Sequence, residues 1–336
     1  MIPDEAQKQL YAELVEAGFK GGVHFNEPMY LHTTFKLGGT SDIFLLPGTT
    51  PDVRTAIRFF GNKGLPWAVI GGGSNVLFPD YGFRGGIIKI GETMAQVDER
   101  DKYLFVSAGM PLNRLMKLAV QEGYGGFDFL VGIPGTVGGA MAVNAGTRDE
   151  WFHSIVIWAE AVNSGGDPVR FMNPKGGYRT SLFRNKEYVI TGVAFTLEEA
   201  APNVIKEKMR ERMLRKVAAQ PYGIRSAGSV FKNPPGMSAW ELIDAVGLRG
   251  YRHGGAQFSE KHCNFIVCHA GATSEDVASL VNSAVQRVKD DKGIELELEL
   301  VMLGFDLPQP EPQAVPVEEA DESESTEPET TAGGED

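Results

Sequence analysis

The segment Trp67-Ala-Val-Ile-Gly-Gly-Gly-Ser-Asn-Val-Leu-Phe78 places three consecutive glycines directly after a short apolar run. The apolar run over residues 67–70 predicts a β-strand. Glycines after a strand let the main chain approach a ligand closely, with successive N–H groups turned toward a diphosphate. A second segment of the same character covers residues 132–140, GIPGTVGGA. A single glycine often does no more than turn the chain, but two dense clusters indicate two ligand-binding loops.

The residues after Gly73 exclude the two commonest nucleotide-binding loops. A Rossmann-type dinucleotide fold requires a helix that opens at the glycines. Here Val76, Leu77 and Phe78 instead continue as an apolar run into proline and glycine. The P-loop requires a Gly-Lys-Ser/Thr ending, which neither segment has. The loops therefore indicate a diphosphate held by backbone amides outside both folds.

Working outward from these loops, the apolar pattern switches between strand and helix periods. The predicted strands cover residues 42–46, 67–70, 86–90, 104–107, 155–163, 188–197, 263–269 and 294–303. The predicted helices cover residues 4–20, 51–62, 111–122, 203–217, 239–246 and 274–291. The mixture predicts an α+β or α/β fold, and a length of 336 residues predicts two or three domains at about 150 residues each.

The net charge of −12 is concentrated in one segment. Residues 307–336 contain ten acidic residues and no Lys or Arg, which leaves 34 acidic and 32 basic residues in residues 1–306. A nearly neutral body argues against nucleic-acid binding through bulk charge. The acidic segment, rich in Pro, Ser and Thr, is predicted to be disordered and to have no catalytic role.

Other classes of protein are excluded by what the sequence lacks. No apolar stretch approaches the roughly 20 residues of a membrane span, and the N-terminus lacks the basic start and apolar core of a secretion signal. Two cysteines, Cys263 and Cys268, cannot form a disulfide framework and show no metal-ligand spacing. We expect a cytoplasmic protein with no metal site, and we expect both cysteines to pack in the core.

Four further motifs accompany the glycine loops. They cover residues 33–39 (TTFKLGG), 178–184 (YRTSLFR), 227–234 (AGSVFKNP) and 255–262 (GAQFSEKH). Over roughly residues 25–304, the six motifs occur in an order that resembles the UDP-N-acetylenolpyruvoylglucosamine reductase (MurB) family. Only about 30 residues separate Leu197 from Ser229, which is similar to the shorter, type II subgroup.

The resemblance implies an α+β protein with an FAD-binding domain of the p-cresol methylhydroxylase/vanillyl-alcohol oxidase type. This domain consists of two α/β subdomains and precedes a smaller α+β substrate-binding domain. Transferred to this chain, the expected bounds are an N-terminal helix in 1–24, the FAD-binding domain in 25–198 (subdomains about 25–90 and 91–198), the substrate-binding domain in 199–306 and the acidic tail in 307–336.

The resemblance also implies the reaction and its ligands. FAD is the expected cofactor, NADPH the hydride source, and UDP-N-acetylglucosamine enolpyruvate the substrate that is reduced to UDP-N-acetylmuramate in peptidoglycan synthesis. No obligate protein partner is implied. The residues expected to bind FAD are Gly71, Gly72, Gly73, Ser74, Asn75, Val76, Leu77, Gly132, Ile133, Pro134, Gly135, Thr136, Gly138, Gly139, Asn144 and Gly146.

Reducing an enol ether requires a cation that holds developing negative charge and an acid that delivers one proton to carbon. The matched motifs suggest Arg179 as that cation, since a guanidinium is permanently charged and can face a carboxylate with two donors. They suggest Ser229 as the proton donor, because a hydroxyl stays protonated at neutral pH. Ser226 is the nearby alternative. Glu299 is the third expected catalytic residue.

The choice of Glu299 depends on the register of residues 294–303. Strict alternation there predicts that Glu295, Glu297 and Glu299 share one face of a strand. Counting back from Gly304 selects Glu299 as the family's catalytic glutamate, whereas a slip of two residues selects Glu297. Two other positions of this segment depart from the residues usual in the family, so Glu297 stays open.

Remaining polar groups are expected at the substrate. The motifs suggest Tyr178, Lys232 and Asn233 as substrate-binding residues, with an exposed surface position as the alternative for Lys232. The basic stripe on the helix predicted over 203–217 is interpreted as a solvated face, with contact to a nucleotide phosphate as the alternative.

Overall fold

The first sheet holds the strand that precedes the first glycine loop. The computed structural model describes residues 1–100, 102–147, 149–184 and 187–305, so the acidic segment 307–336 lies outside the described residues. The elements of this part are α1 (Asp4–Glu16), β1 (Gly22–Pro28), β2 (Thr40–Leu46), α2 (Thr50–Asn62), β3 (Trp67–Ile70), β4 (Val76–Leu77) and β5 (Phe83–Lys89). The sheet order is β1-β2-β5-β3, with β1 antiparallel to β2 and the other pairs parallel.

The helix α2 begins where its sequence provides a cap. The Thr49 hydroxyl accepts a hydrogen bond from the Asp52 N–H (3.3 Å), and the Asp52 carboxylate accepts one from the Thr49 N–H (3.0 Å). This capping box satisfies N–H groups that the first helical turn leaves unpaired. The apolar side of α2, including Val53, Ile57 and Phe60, is fully buried.

The second sheet is antiparallel throughout, in the order β6-β7-β10-β8-β9. Its elements and the helices connected to them are β6 (Val97–Arg100), β7 (Tyr103–Ser107), α3 (Leu112–Glu122), α4 (Val137–Ala142), β8 (Val156–Asn163), β9 (Pro168–Met172) and β10 (Tyr188–Thr196). Short 3-10 turns occur at Met29–Leu31, Glu92–Met94, Asp128–Leu130, Phe152–Ile155 and Leu182–Arg184. The second glycine loop leads into α4.

The C-terminal part contains α5 (Pro202–Ala219), α6 (Ala239–Ala245), β11 (Arg252–His253), β12 (Ala256–Phe258), β13 (Ile266–Cys268), α7 (Ser274–Lys292) and β14 (Val301–Met302). Three of these strands form a small sheet, β11-β12-β13. The last strand, β14, pairs in parallel with β4 of the first glycine loop. The end of the described chain is therefore hydrogen-bonded to the loop that the sequence assigns to the cofactor.

Two large apolar clusters correspond to the N-terminal and C-terminal parts of the chain. One cluster joins α2 and the first sheet to the second sheet and includes Ile43, Val53, Leu104 and Phe195. Another fills the C-terminal part and also takes in Phe35, Leu37 and Leu77 from the N-terminal part. Apolar burial supplies the main favourable free energy of folding, so this sharing holds the two parts against each other.

Several element predictions need correction. The first helix ends at Glu16, not residue 20, because Gly18 takes a left-handed φ of +91° and Phe19 folds back into the core. Residues 294–303 do not form one strand, since only Val301–Met302 has that structure and Leu298 forms an isolated bridge with Phe231.

Two of the elements that the sequence did not predict are β6 and α4. All four residues of β6 are exposed, so the strand has no apolar alternation and exists because its backbone pairs with β7. The helix α4 is short and glycine-rich, which lowers its intrinsic helix propensity.

The helix α5 packs against α3 and the turn Asp128–Leu130. Its buried face thus lies on the part of the chain that the sequence assigned to cofactor binding. The bounds of the domains remain a prediction.

Candidate active site

The two glycine loops lie directly against each other. A Cβ atom on Gly72 would come within 2.7 Å of the Gly135 Cα, and the Ser74 hydroxyl donates to the Pro134 carbonyl at 3.1 Å. At Gly73 the backbone is left-handed (φ +67°), and a Cβ atom would lie 1.8 Å from the His32 carbonyl oxygen. Only glycine fits such a position. Gly72 is therefore needed for the contact between the loops, and Gly73 for the close approach to residue 32.

The first loop presents a row of hydrogen-bond donors. Within the described part of the chain, no backbone N–H of residues 71–75 donates a hydrogen bond to another residue. Consecutive free N–H groups around a left-handed residue form a concave site for an anion. The observed donors fit the diphosphate of FAD, and they follow the carboxyl end of the parallel strand β3, where ligands of open α/β sheets bind.

Other residues expected to bind FAD have structural roles. Val76 and Leu77 form β4, whose backbone pairs with Val301 and Met302. Gly138 packs against Ala108, whose Cβ would lie 2.8 Å from an added Cβ. The Thr136 hydroxyl caps α4 by accepting from the Gly139 N–H at 3.3 Å.

Asn144 and Gly146 hold the segment around Arg179. The buried Asn144 amide donates to the Gly177 carbonyl at 2.9 Å and accepts from the His153 N–H at 3.0 Å. The carbonyl oxygens of Asn144 and Gly146 accept from the Arg179 guanidinium at 3.5 and 3.1 Å. These contacts connect the segment that follows α4 to Arg179.

Arg179 has a strained backbone conformation and forms an ion pair. Its φ is +54°, which costs a non-glycine residue about 1–2 kcal/mol. Its Nε lies 2.9 Å from Oε1 of Glu299. Strain of this kind persists where the surrounding structure imposes it and is concentrated at functional sites.

Glu299 is held from several directions. Its carbonyl accepts hydrogen bonds from the Asn75 amide (3.0 Å) and the Arg184 guanidinium (3.0 Å), and its N–H donates to the Val230 carbonyl (2.9 Å). The side chain is 12% exposed. Burial raises the pKa of the Glu299 carboxyl, although the positive charges of Arg179, Arg184 and Lys232 oppose this shift. A carboxyl with a raised pKa is typical of acid–base sites.

The other two glutamates of the segment point to different partners. Glu297 forms an ion pair with Lys232, and Glu295 forms one with Lys289 at the end of α7. Glu295 is mostly exposed. The prediction that all three share one face of a strand is wrong, because the backbone between them bonds to residues 230 and 232 instead of a regular neighbouring strand. The glutamate that pairs with Arg179 is Glu299.

Ser229 is connected to the Arg179–Glu299 pair through the backbone of its neighbour Val230. Its neighbour Val230 accepts the hydrogen bonds of the Glu299 and Leu300 N–H groups, and Ser229 itself forms an isolated bridge with Phe265. The half-buried Ser229 hydroxyl makes no hydrogen bond with any described residue, so it is available to a ligand. The hydroxyl of Ser226 is buried and likewise without a partner in the described chain.

The expected substrate residues connect the two parts of the molecule. The Tyr178 hydroxyl accepts from the Asn233 N–H at 3.4 Å, and its ring lies 5.9 Å from the Arg179 guanidinium carbon. The Asn233 amide oxygen accepts from the first N–H of α6 at 2.9 Å. Lys232 is buried, which rules out the exposed alternative.

Arg184 and Arg212 are two cations that sequence reasoning left without a role. Arg184 donates to the carbonyls of Arg179, Leu298 and Glu299, and burial lowers its pKa. Its position in the YRTSLFR motif was the sequence signal that could have identified Arg184 as a functional residue.

Arg212 pairs with Asp128 (2.6 Å) and Glu150 (2.7 Å).

Lys216 also faces inward, since its ammonium donates to the Val131 carbonyl at 2.9 Å. The interpretation of the basic stripe as solvated is thus wrong for part of α5. Arg212 and Lys216 continue the helical spacing of the apolar residues Ile205 and Met209. That spacing could have located them.

Both cysteines are buried, as predicted. Burial raises the pKa of the Cys263 thiol to about 11 and that of Cys268 to about 12, so both are inert thiols near neutral pH. Among the described residues, no group of His, Cys, Asp and Glu is arranged to hold a metal ion. The described helices also include none with the length and apolarity to cross a membrane.

Comparison with known proteins agrees with this geometry. A family model described as an FAD binding domain matches residues 41–172, and one described as the C-terminal domain of UDP-N-acetylenolpyruvoylglucosamine reductase matches residues 220–303. These matches confirm the predicted α+β fold class with an FAD-binding domain followed by a smaller domain. Fold and site define a flavin-dependent oxidoreductase.

Several relatives share the same name, and they make the identification more specific. UDP-N-acetylenolpyruvoylglucosamine reductase of Heliobacterium modesticaldum is 37% identical over 282 residues, covering 83% of this chain and 90% of that protein. The Geobacter metallireducens protein of the same name is 38% identical, covering 86% and 96%. The crystal structure of the Thermus caldophilus enzyme has 32% identity and a TM-score of 0.71, covering 84% and 99%. The chain belongs to the UDP-N-acetylenolpyruvoylglucosamine reductase family.

Proposed function

We propose that the protein reduces the enolpyruvyl ether of UDP-N-acetylglucosamine to UDP-N-acetylmuramate in peptidoglycan synthesis, with NADPH as the electron donor. The vinyl group gains a hydride at its terminal carbon and a proton at the adjacent carbon, while NADPH becomes NADP⁺. Bound FAD would relay the hydride between the two substrates. The observation that carries the proposal is the Arg179–Glu299 ion pair at 2.9 Å. The Glu299 backbone is hydrogen-bonded both to Asn75 of the first glycine loop and to Val230, the neighbour of Ser229.

Three side chains have distinct proposed roles. The Arg179 guanidinium faces the substrate carboxylate and stabilises the negative charge that spreads into it. Glu299, whose pKa burial raises, keeps a proton more readily than an exposed carboxyl and can donate a hydrogen bond to the same charge. The Ser229 hydroxyl delivers the proton to carbon, because an enolate carbon is basic enough to take it.

The residues around these three form the rest of the proposed site. Tyr178, Lys232 and Asn233 contact the sugar nucleotide, and the two glycine loops bind FAD. We also propose the domain bounds expected from the sequence, with cofactor binding in 25–198 and substrate binding in 199–306. A cytoplasmic location and membership of the shorter subgroup belong to the same proposal.

Anaerobic half-reactions test the function. We expect NADPH to bleach the flavin absorbance of the purified holoenzyme and the enolpyruvyl sugar nucleotide to restore it. The Ser229→Ala variant should keep bleaching by NADPH and lose most of the second step, whereas Ser226→Ala should keep both. A flavin that only molecular oxygen reoxidises would point to an oxidase instead. Full reoxidation by the Ser229→Ala variant would remove Ser229 from the mechanism.

A further inference from the structure

The backbone that follows Ser229 is held between two other segments of the chain. On one side, the Val230 carbonyl accepts hydrogen bonds from the N–H groups of Glu299 (2.9 Å) and Leu300 (3.1 Å). On the other side, the Val230 N–H donates to the Asn264 carbonyl at 2.9 Å, as in a pair of strands. The separation between Ser229 and Glu299 therefore depends on how these backbones are held.

The strand pairing does not continue past Val230, because the chain around Asn264 turns. The Phe265 N–H donates to the His262 carbonyl at 3.0 Å, which closes that turn. The Asn264 side chain takes the place of the missing strand partner. Its amide oxygen accepts from the Phe231 N–H at 2.9 Å, and its amide nitrogen donates to the Phe231 carbonyl at 2.8 Å.

Burial makes these two hydrogen bonds important. Phe231 and Asn264 are both buried, and Asn264 is only 4% exposed. A buried N–H or carbonyl without a partner is costly, so the Phe231 backbone would shift if the amide were lost. Ser229 lies two residues away, and its hydroxyl bonds to no described residue. The position of that hydroxyl is therefore set by the backbone that Asn264 holds.

We infer that Asn264 is a positioning residue for proton delivery, since its side-chain amide fixes the backbone after Ser229 and so holds the Ser229 hydroxyl in place. This inference rests on the proposed function and on the proposed role of Ser229. Asn264 is not proposed to contact the substrate or the flavin. A displacement of about 1 Å at a reacting group can lower a rate about a hundredfold.

The test follows single turnovers of the holoenzyme under anaerobic conditions. The flavin is bleached with stoichiometric NADPH, the enolpyruvyl sugar nucleotide is added, and the return of flavin absorbance is timed. Asn264→Ala removes both amide hydrogen bonds. Asn264→Asp, at mildly alkaline pH, keeps an acceptor for the Phe231 N–H and removes the donor to the Phe231 carbonyl. Its volume is nearly that of asparagine, so it replaces Asn264→Ala if the alanine variant does not fold.

Val281→Ala is the matched control for a general loss of stability. Val281 lies on α7 and is buried in the same apolar cluster as Phe231. Its truncation lowers the free energy of unfolding without removing a hydrogen bond from the backbone after Ser229. Urea denaturation of every variant gives the folded fraction, and all rates are expressed per folded holoenzyme.

We expect both Asn264 variants to slow flavin reoxidation by the enolpyruvyl compound roughly tenfold to a hundredfold. Bleaching by NADPH and the affinity of the oxidised enzyme for the sugar nucleotide should stay at the wild-type values. Val281→Ala should match wild type in all three measurements. Reoxidation at the wild-type rate in the Asn264 variants would overturn the inference, and so would an equal slowing in Val281→Ala.

A double variant shows through which group Asn264 acts. If its amide only positions the Ser229 hydroxyl, Ser229→Ala/Asn264→Ala should reoxidise its flavin as fast as Ser229→Ala alone, because no hydroxyl is left to misplace. A further slowing as large as in the single Asn264→Ala variant would mean independent action and would overturn the inference.

Failure of the proposed function gives a different result. Wild type itself would then show no reoxidation by the enolpyruvyl compound, and the inference would fall with the function. Normal turnover in wild type, a slow second step in Ser229→Ala and a wild-type rate in the Asn264 variants would instead contradict only the role of Asn264.

Discussion

At the scale of single residues, the site depends on two side chains that are distant in the sequence. Arg179 takes a left-handed backbone conformation, and its Nε meets Oε1 of Glu299 at 2.9 Å. Arg184 donates to the carbonyl oxygens of both residues and so holds their backbones close together. The ion pair is thus imposed by a network of main-chain hydrogen bonds.

Substitution of the two candidate glutamates tests the register. We expect Glu299→Gln to reduce turnover of the enolpyruvyl substrate about a hundredfold, as is typical when one stabilising group is removed from a preorganised site. Glu297→Gln should retain most of the turnover, since Glu297 pairs with Lys232 and is 42% exposed. Steady-state kcat and KM of the two variants show which glutamate is required. Bleaching of the flavin by NADPH is the control for an intact flavin site. The reverse ranking would transfer the role to Glu297.

At the scale of elements, the first glycine loop is a structural unit as much as a binding site. The Gly73→Ala substitution would force an alanine into a left-handed conformation with its Cβ against the His32 carbonyl oxygen. We expect a loss of at least about 2 kcal/mol in the free energy of unfolding and a lower flavin content. Urea denaturation and the ratio of flavin to protein absorbance measure both.

Gly61 provides the control for this glycine prediction. It lies within α2, and an added Cβ would have no heavy atom within 4 Å. Gly61→Ala should stabilise the protein by about 0.5–1 kcal/mol through helix propensity. Equal effects of the two substitutions would show that the contact at Gly73 is not required.

The position of α5 depends on the ion pairs of Arg212. Asp128 is buried, so Arg212→Met would leave it without its cation at 2.6 Å. We expect a destabilisation of about 3 kcal/mol in urea denaturation. Arg210→Met removes an arginine of the same helix that pairs with exposed Glu207, and it should leave the unfolding free energy unchanged within error. A similar loss in both variants would contradict this account.

At the scale of the whole molecule, buried and half-buried histidines couple stability to pH. Burial is the largest cause that lowers the pKa values of His32, His153 and His262. The unfolded chain therefore binds protons more readily than the folded protein as pH falls below about 6.5. Stability should be fully present above that pH and should decrease on acidification.

The variant His153→Gln tests this coupling, because His153 is buried and its Nε2 lies 2.9 Å from the Met141 carbonyl oxygen. Unfolding free energies from urea titrations at pH 8, 7, 6 and 5.5 should fall less steeply on acidification in the variant. The exposed His253 offers a control, His253→Gln, with the slope of wild type. An unchanged slope for His153→Gln would exclude His153 as a contributor.

Features that depend on local chemistry could be predicted from neighbouring residues alone. The triple glycine after the strand at 67–70 and the ordered motifs are patterns of neighbouring residues, and they led to the fold class, the cofactor and the family. Alternation over residues 294–303 was misleading, because the backbone there bonds to residues 230 and 232, and no local pattern records such partners.

Which charges meet became visible in the folded structure and could not be predicted from residue spacing. The folded structure paired Arg179 with Glu299, neutralised Arg212 with Asp128 and Glu150, and left Lys216 without a carboxylate beside the glycine loop. The physical reason is that the strength and the pKa of an ionic group depend on burial and on charges a few ångströms away. Those neighbours come from distant segments of the chain, so they are set by packing and are not encoded in residue spacing.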